Sequence, residues 1–478
     1  MLVADALPPG KVGAWPGRYM MDAKQVKAIV ERYMFPIEGS SYMGGLESRP
    51  VIAGSFGSTV VDTNGKEYLD FQSGQMGAAL GHQHPRIVAR IEATMKSLLH
   101  ASNTMLHVPR LRLHEKLGKL LPRPLEKSLF LVSGSDSIEA AIDLARKATG
   151  GLDLLGFHAG LHGSTSYVTR SLSFNWERRK HAAVAPHTAS VLTPYCYRCP
   201  LGLKFPRCEV QCLSASLELA DANFTARPAG FIVEPILSAG GVIVPPDGYF
   251  TKVKQACAAR GMALIVDESQ TGLGKTGKLF GFQHEAGLKP DIIAISKHFG
   301  GGLPISAVCT TAAVAKAAVS NGYFATRSHA TDPLLCAAGE ESLDIVVEED
   351  MSGRARRIER HIKSAFRSMA KEFECIGDIR GRGVLLGIEL VRDRHGKAPA
   401  NAETQAIFQY CLDNGLIFQV RGVRDLKNVI RLVPPMTTTR VELDRALSIL
   451  NDAFAKLAKR GAKRRPKVRR RSAAQGAI

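Results

Sequence analysis

Three short stretches place reactive or charge-bearing side chains where an apolar segment ends. "DIIAISKHFGGG" carries Lys297 just beyond the run Ile292–Ile295 and ahead of three glycines. "ALIVDES" ends its run on Asp267, and "LFLVSGSDS" sets Ser133-Gly134-Ser135 directly before a helix-like pattern. A lysine removed from water loses stability in its charged form, so its pKa falls and its neutral amine becomes a nucleophile. A carboxylate at a neighbouring strand end can hold a protonated ring nitrogen. A small-residue turn opening a helix offers free N–H groups and the positive dipole end to a phosphate. Each piece has a plainer reading. Lys297 can snorkel to solvent, Asp267 can cap a loop, and the turn can simply cap its helix.

The elements that must position these groups follow from the hydrophobic pattern. "SLFLVSG", "DLLGFHA", "GFIVEPI", "ALIVDES" and "DIIAIS" read as short, continuously apolar strands. Between them, "SIEAAIDLARKA" puts Ile138, Ala141, Ile142 and Ala145 on one helix face, and "YFTKVKQACAARG" supplies another helix. Such alternation predicts an α/β fold with a mostly parallel sheet covered on both faces. Ligands then collect at the carboxyl ends of the strands, where all three stretches lie. Residues 50–71 read as a hairpin turning at Asn64-Gly65, and 351–460 as helices and short strands. The expected division is an N-terminal segment (1–75) of a small domain, a large domain (76–345), the C-terminal part of the small domain (346–458) and a basic disordered tail (459–478).

Composition narrows the classes. Of 478 residues, 45% are hydrophobic and 22% charged, the balance of a globular protein rather than a disordered one. No apolar run reaches the ~18 residues of a membrane span, and the first residues do not read as a secretory signal. Nine cysteines in such a chain fit a reducing, cytoplasmic setting. The net charge of +19 is concentrated in "KLAKRGAKRRPKVRRR", which predicts weak, salt-sensitive binding of polyanions by the tail.

A phosphate cradle, a Schiff-base lysine and an acidic partner for a pyridinium are the fixtures pyridoxal phosphate requires. The stretch "LIVDESQTGLGKTGKLFGFQHEAGLKPDIIAISKHFGGGLPISAV" closely resembles the cofactor signature of class III (omega) aminotransferases. The likeness runs from "VVDTNGKEYLDF" to "RLVPPMTTT", and within the class it is nearest to the 2,2-dialkylglycine decarboxylase group. It implies the fold-type I transferase architecture: a large domain with a mostly parallel seven-stranded sheet, plus a smaller α+β domain from both termini. It also implies pyridoxal 5'-phosphate as cofactor, an amino donor and a keto-acid acceptor as substrates, and a homodimer with a shared site that in many relatives pairs into a tetramer.

By the same resemblance Lys297 anchors the cofactor covalently and shuttles the Cα proton. Asp267 pairs with the ring nitrogen, and Gln270 bonds the phenolic oxygen. Ser133, Gly134 and Ser135 hold the phosphate, which Ser328 reaches from the neighbouring subunit. Leu161 and His162 adjoin the ring, Glu234 lies near substrate and cofactor, and Arg431 takes a substrate carboxylate. Gln75 stands where the decarboxylase group has glutamine; a hydrogen bond from it can hold a carboxylate perpendicular to the ring and favour loss of CO2. The plainer reading is a polar residue tidying a loop.

Several positions depart from the family pattern. Leu161 replaces an aromatic residue, losing a stacking contribution of about a kcal/mol. Ser164, Ala239, Ile138 and Ser269 differ from the residues common there. Asp332 matches one ligand of the decarboxylases' alkali ion, but Asn103 falls at a serine position, so no metal is assigned. Cys196, Cys199, Cys208 and Cys212 form C-x2-C-x8-C-x3-C, open to zinc, to a thiol-lined loop near the dimer interface or to a disulfide. Two other functions compete: a lyase or racemase on the same fold, and a non-catalytic nucleic-acid-binding regulator using the tail.

Overall fold

A strand that is apolar at every position needs cover on both of its faces, and the central sheet supplies it. The protein is described by a computed structural model covering residues 21–35, 49–173, 185–423 and 426–464. An N-terminal meander comprises β1 (Ile52–Phe56), β2 (Thr59–Asp62) and β3 (Glu67–Asp70). The central strands are β4 (Leu125–Leu131), β5 (Asp153–Phe157), β6 (Thr188–Val191), β7 (Pro228–Val233), β8 (Ala263–Asp267), β9 (Ile292–Ile295) and β10 (Ser306–Thr311). They form one seven-stranded sheet in the order β4-β10-β9-β8-β7-β5-β6. Strands β6, β5, β7, β8 and β9 run parallel, and β10 is antiparallel to both of its neighbours.

The period of two decides which residues face which helices. Ile292 and Ala294 of β9 pack with Ile138, Ala141, Ile142 and Ala145 of the helix Gly134–Thr149. Ile293 and Ile295 turn the other way, into the core shared with Val253 and Cys257 of the helix Tyr249–Ala259. Both sets are buried, so each isoleucine contributes about 1.5–3 kcal/mol.

The hairpin expected over 50–71 is instead a three-stranded meander. Gly57, at φ 55°, turns the chain back earlier, and Gly65, at φ 79°, turns it again at Asn64-Gly65. Strand β3 then pairs in parallel with β13 (Leu416–Ile417), which joins the two ends of the chain in one sheet. A third sheet orders β11 (Ile376–Arg382), β12 (Leu385–Leu390), β15 (Val429–Leu432) and β14 (Gln419–Arg421) as β11-β12-β15-β14. The last helix runs from Arg440 to Arg464, past the expected start of the tail at 459, so the first residues of the tail assigned as disordered are helical. Its remainder, 465–478, lies outside the described residues. Among the described residues no helix is long and apolar enough to cross a membrane.

Candidate active site

Register brings the sequence-predicted groups to one edge of the sheet. Val233 pairs with Val266, so Glu234 and Asp267 leave β7 and β8 side by side. Asp267 pairs with Ala294, three residues before Lys297. Ser306 opens β10 at the same edge and donates its hydroxyl to the Ser133 carbonyl at 2.7 Å.

Lys297 begins a short 3-10 turn, Lys297–Gly300, with φ 61°. A left-handed lysine costs about 1–2 kcal/mol, so the surroundings must hold it there. His298, fully buried, donates Nε2–H to the Leu273 carbonyl at 2.9 Å, and its Nδ1 accepts from Lys275 Nζ at 2.8 Å. Burial pushes the Lys275 amine down to about 7, and the charge of Lys297 lowers it further. Burial also lowers the pKa of Lys297; the nearby Arg431 cation lowers it further, and Asp267 opposes the shift. Sequence reasoning missed the Lys275–His298 pair, whose only signal is a polar residue in a segment packed to be apolar.

Around Asp267 the polar contacts are complete on one side and open on another. Its Oδ2 pairs with His162 Nδ1 at 3.0 Å, and its Oδ1 accepts from the Ser269 amide at 3.0 Å. His162 Nε2 is buried with no hydrogen-bond partner among the described residues. Glu234 is buried and accepts from the Leu161 amide at 2.8 Å and the Ser238 amide at 3.3 Å. Burial raises its pKa to about 7, with Asp267 adding to the shift and His162 opposing it.

Ser133 caps the helix Gly134–Thr149 reciprocally with Asp136. A Cβ on Gly134 would stand 2.8 Å from Ser296 Oγ, and one on Gly163 would stand 2.7 Å from Ser135 Oγ. Glycine at both positions keeps the backbone close-packed beside a helix N-terminus. Arg431, buried on β15, donates to Ser238 Oγ at 2.8 Å and to Gln270 Oε1 at 3.2 Å. Ser238 was not singled out from the sequence; it lies one residue before Ala239, where the decarboxylase group has its serine.

Two predicted residues are exposed rather than buried. Gln75 is exposed within Ser73–Met76, four consecutive residues with φ between 50° and 71°, a left-handed turn set against Lys297–Gly300. Ser328 is exposed, and its neighbour Arg327 reaches Asp136 at 3.8 Å. Asp332 gives one carboxylate oxygen to His100 and the other to His329, each at 2.8 Å, and Asn103 bonds Thr326 Oγ1 and the Arg327 carbonyl.

The arrangement can hold an anionic group at the helix N-terminus and a ring nitrogen at Asp267. It also places an amine of lowered pKa beside both. The buried His162 Nε2, without a partner among the described residues, and the N-terminus of the helix Gly134–Thr149 are polar groups that a ligand at this edge would satisfy. The sequence profile described as aminotransferase class III matches residues 47–454. An uncharacterized aminotransferase of Schizosaccharomyces pombe is 34% identical over 87% of this chain and 93% of its own length. The leucine/methionine racemase of Thermococcus litoralis is 32% identical over 89% and 95%. An amine transaminase from an uncultivated Pseudomonas species, whose structure holds pyridoxal phosphate, superposes with a TM-score of 0.81 at 27% identity, covering 89% of this chain and 99% of that one. The chain therefore belongs to the class III family of pyridoxal-phosphate-dependent aminotransferases.

Proposed function

We propose that this aminotransferase takes its amino group from an α-amino acid and that Arg431 binds the donor's carboxylate. The observation that carries this reading is a buried guanidinium on β15 close enough to Lys297 to shift its pKa, and tied to Gln270 and Ser238. A planar guanidinium can take a carboxylate in two parallel hydrogen bonds. The bound cofactor supplies a ring that accepts the electrons left at Cα. Ser133, Gly134 and Ser135 hold its phosphate, and Asp267, oriented by His162, keeps its nitrogen protonated. Gln270 bonds its phenolic oxygen, and Leu161 packs beside it. Lys297 anchors it and, as the unprotonated amine, takes the Cα proton. Glu234 stands ready at the same edge, its charge sensitive to neutral pH.

The site is shared between two copies. Supporting this, Met95, Leu99, Met105, Leu106 and Val108 leave large apolar surface exposed beside the loop that carries Ser328. Large exposed apolar side chains grouped in one segment are the mark of an association surface. With pyruvate as acceptor and a panel of amino acids, we expect alanine to form from carboxylate-bearing donors. Activity confined to amines without a carboxylate would reject the reading of Arg431. Gln75, on the turn against Lys297, supports decarboxylation as an additional outcome; 2-aminoisobutyrate should then give CO2 and acetone. The similarity to a racemase favours one alternative, inversion of a single enantiomer of leucine or methionine with no keto acid present.

A further inference from the structure

The four cysteines of "CYRCPLGLKFPRCEVQC" take no part in this chemistry, yet the fold gathers them. Cys196, Cys199, Cys208 and Cys212 line one small cavity, otherwise walled by apolar side chains and prolines such as Phe205 and Pro246. All four are free thiols. Each pair is presented by its own tight turn. Cys196–Arg198 is a single 3-10 turn, and Gly202, at φ 68°, bonds back to the Cys199 carbonyl at 3.1 Å. On the other side Glu209 and Val210 are both left-handed, at φ 47° and 58°, between Cys208 and the helix Gln211–Asn223. A β-branched residue rarely accepts that backbone, and such strain persists where the surroundings fix it. Cys212 lies in the first turn of that helix, where the dipole favours a thiolate.

We propose that Cys196, Cys199, Cys208 and Cys212 are the ligands of one structural Zn²⁺. Four sulfur ligands fill a tetrahedral sphere and leave no open position, so the ion organises the loop and takes no part in the reaction. Each thiol that binds releases one proton. Among the described residues the only metal-ligating side chains already within reach of one ion are His100, His329 and Asp332, so zinc binding here requires the four thiols to move together.

The consequence reaches the substrate pocket. Tyr195 and Arg198, within the same loop, both hydrogen-bond the buried Glu389. Glu389 also accepts from Arg380 at 2.7 Å, and Arg380 bonds the Gly241 carbonyl at 2.6 Å. Gly241 bonds back to Ser238 at 3.2 Å, and Ser238 is the partner of Arg431. The ion thus fixes the outer end of a series of contacts that ends at Arg431.

The test measures metal directly. Full-length protein, incubated with Zn²⁺ and desalted, should hold about one zinc per chain by mass spectrometry. With Co²⁺ in its place it should show thiolate charge-transfer and tetrahedral d–d bands. Cys208→Ser with Cys212→Ser should lose the metal, while Cys375→Ser keeps it. If the double variant does not fold, the Co²⁺ spectrum of the unaltered protein decides, since intense tetrahedral thiolate bands require several cysteine ligands on one ion. Less than about a tenth of a zinc per chain overturns the proposal. So does a Cys196–Cys212 region found as disulfides, or metal that survives loss of Cys208 and Cys212 but not of His100 and His329. Metal content is read without cofactor or substrate, so failure here leaves the aminotransferase assignment untouched.

Discussion

Glu234 is held by two backbone amides but enclosed without a paired cation, and its folded pKa of about 7 stands above its ordinary 4.5. The folded chain therefore binds the proton more tightly than the unfolded one. The stability this confers is complete below pH 4.5 and is lost as pH rises through 7. Replacing Glu234 by Gln removes that dependence. Relative to the parent, cofactor-free Glu234→Gln should gain about 2–3 kcal/mol between pH 5 and pH 8. Parallel melting curves over that range would contradict the assigned burial. Arg431→Ala tests the carboxylate site. Each charge-assisted hydrogen bond is worth about 1.5–3 kcal/mol, so kcat/KM for an α-amino acid should fall about a hundredfold or more. An amine lacking the carboxylate should be affected far less, and equal losses for both would remove Arg431 from substrate binding.

At the scale of elements, the turn Ser133–Ser135 tests how the phosphate is held. Gly134 has an ordinary backbone, so Gly134→Ala should fold, but its Cβ would meet Ser296 Oγ at 2.8 Å and crowd the helix N-terminus. Cofactor affinity should drop at least tenfold, as read by equilibrium dialysis; unchanged affinity would place the phosphate elsewhere. Most of this scale was legible in the sequence. Strands β5, β7, β8 and β9 were visible because burial on both faces demands unbroken apolar runs, and the helix 134–149 because its apolar stripe is regular. The meander at 52–70 was not, since Gly57 reads as one more loop residue until its left-handed φ makes it a turn. The Lys275–His298 contact was equally hidden. Two side chains 23 residues apart in sequence meet only because a turn after β8 folds over the turn after β9.

For the whole molecule, the exposed apolar side chains between Met95 and Val108 predict association of two copies. If two copies share the site as proposed, Leu99→Glu combined with Leu106→Glu should leave a monomer in light scattering and reduce activity, because the proposed reach of Ser328 to the neighbouring phosphate would be lost. A dimer that persists in this variant would move the interface elsewhere. No pattern in the sequence located this surface, since exposure of an apolar residue depends on which helices leave it uncovered. The carboxyl edge of the sheet, by contrast, was already implied once the strands were read as parallel.

The central claim is that the amine of Lys297 carries the cofactor, and reductive trapping tests it most directly. Holoenzyme treated with borohydride and digested should yield one peptide bearing the reduced pyridoxyl group on Lys297, and Lys297→Ala should bind the cofactor without any such covalent adduct. A pyridoxyl group found on Lys275, or on no peptide of the folded holoenzyme, would contradict the account.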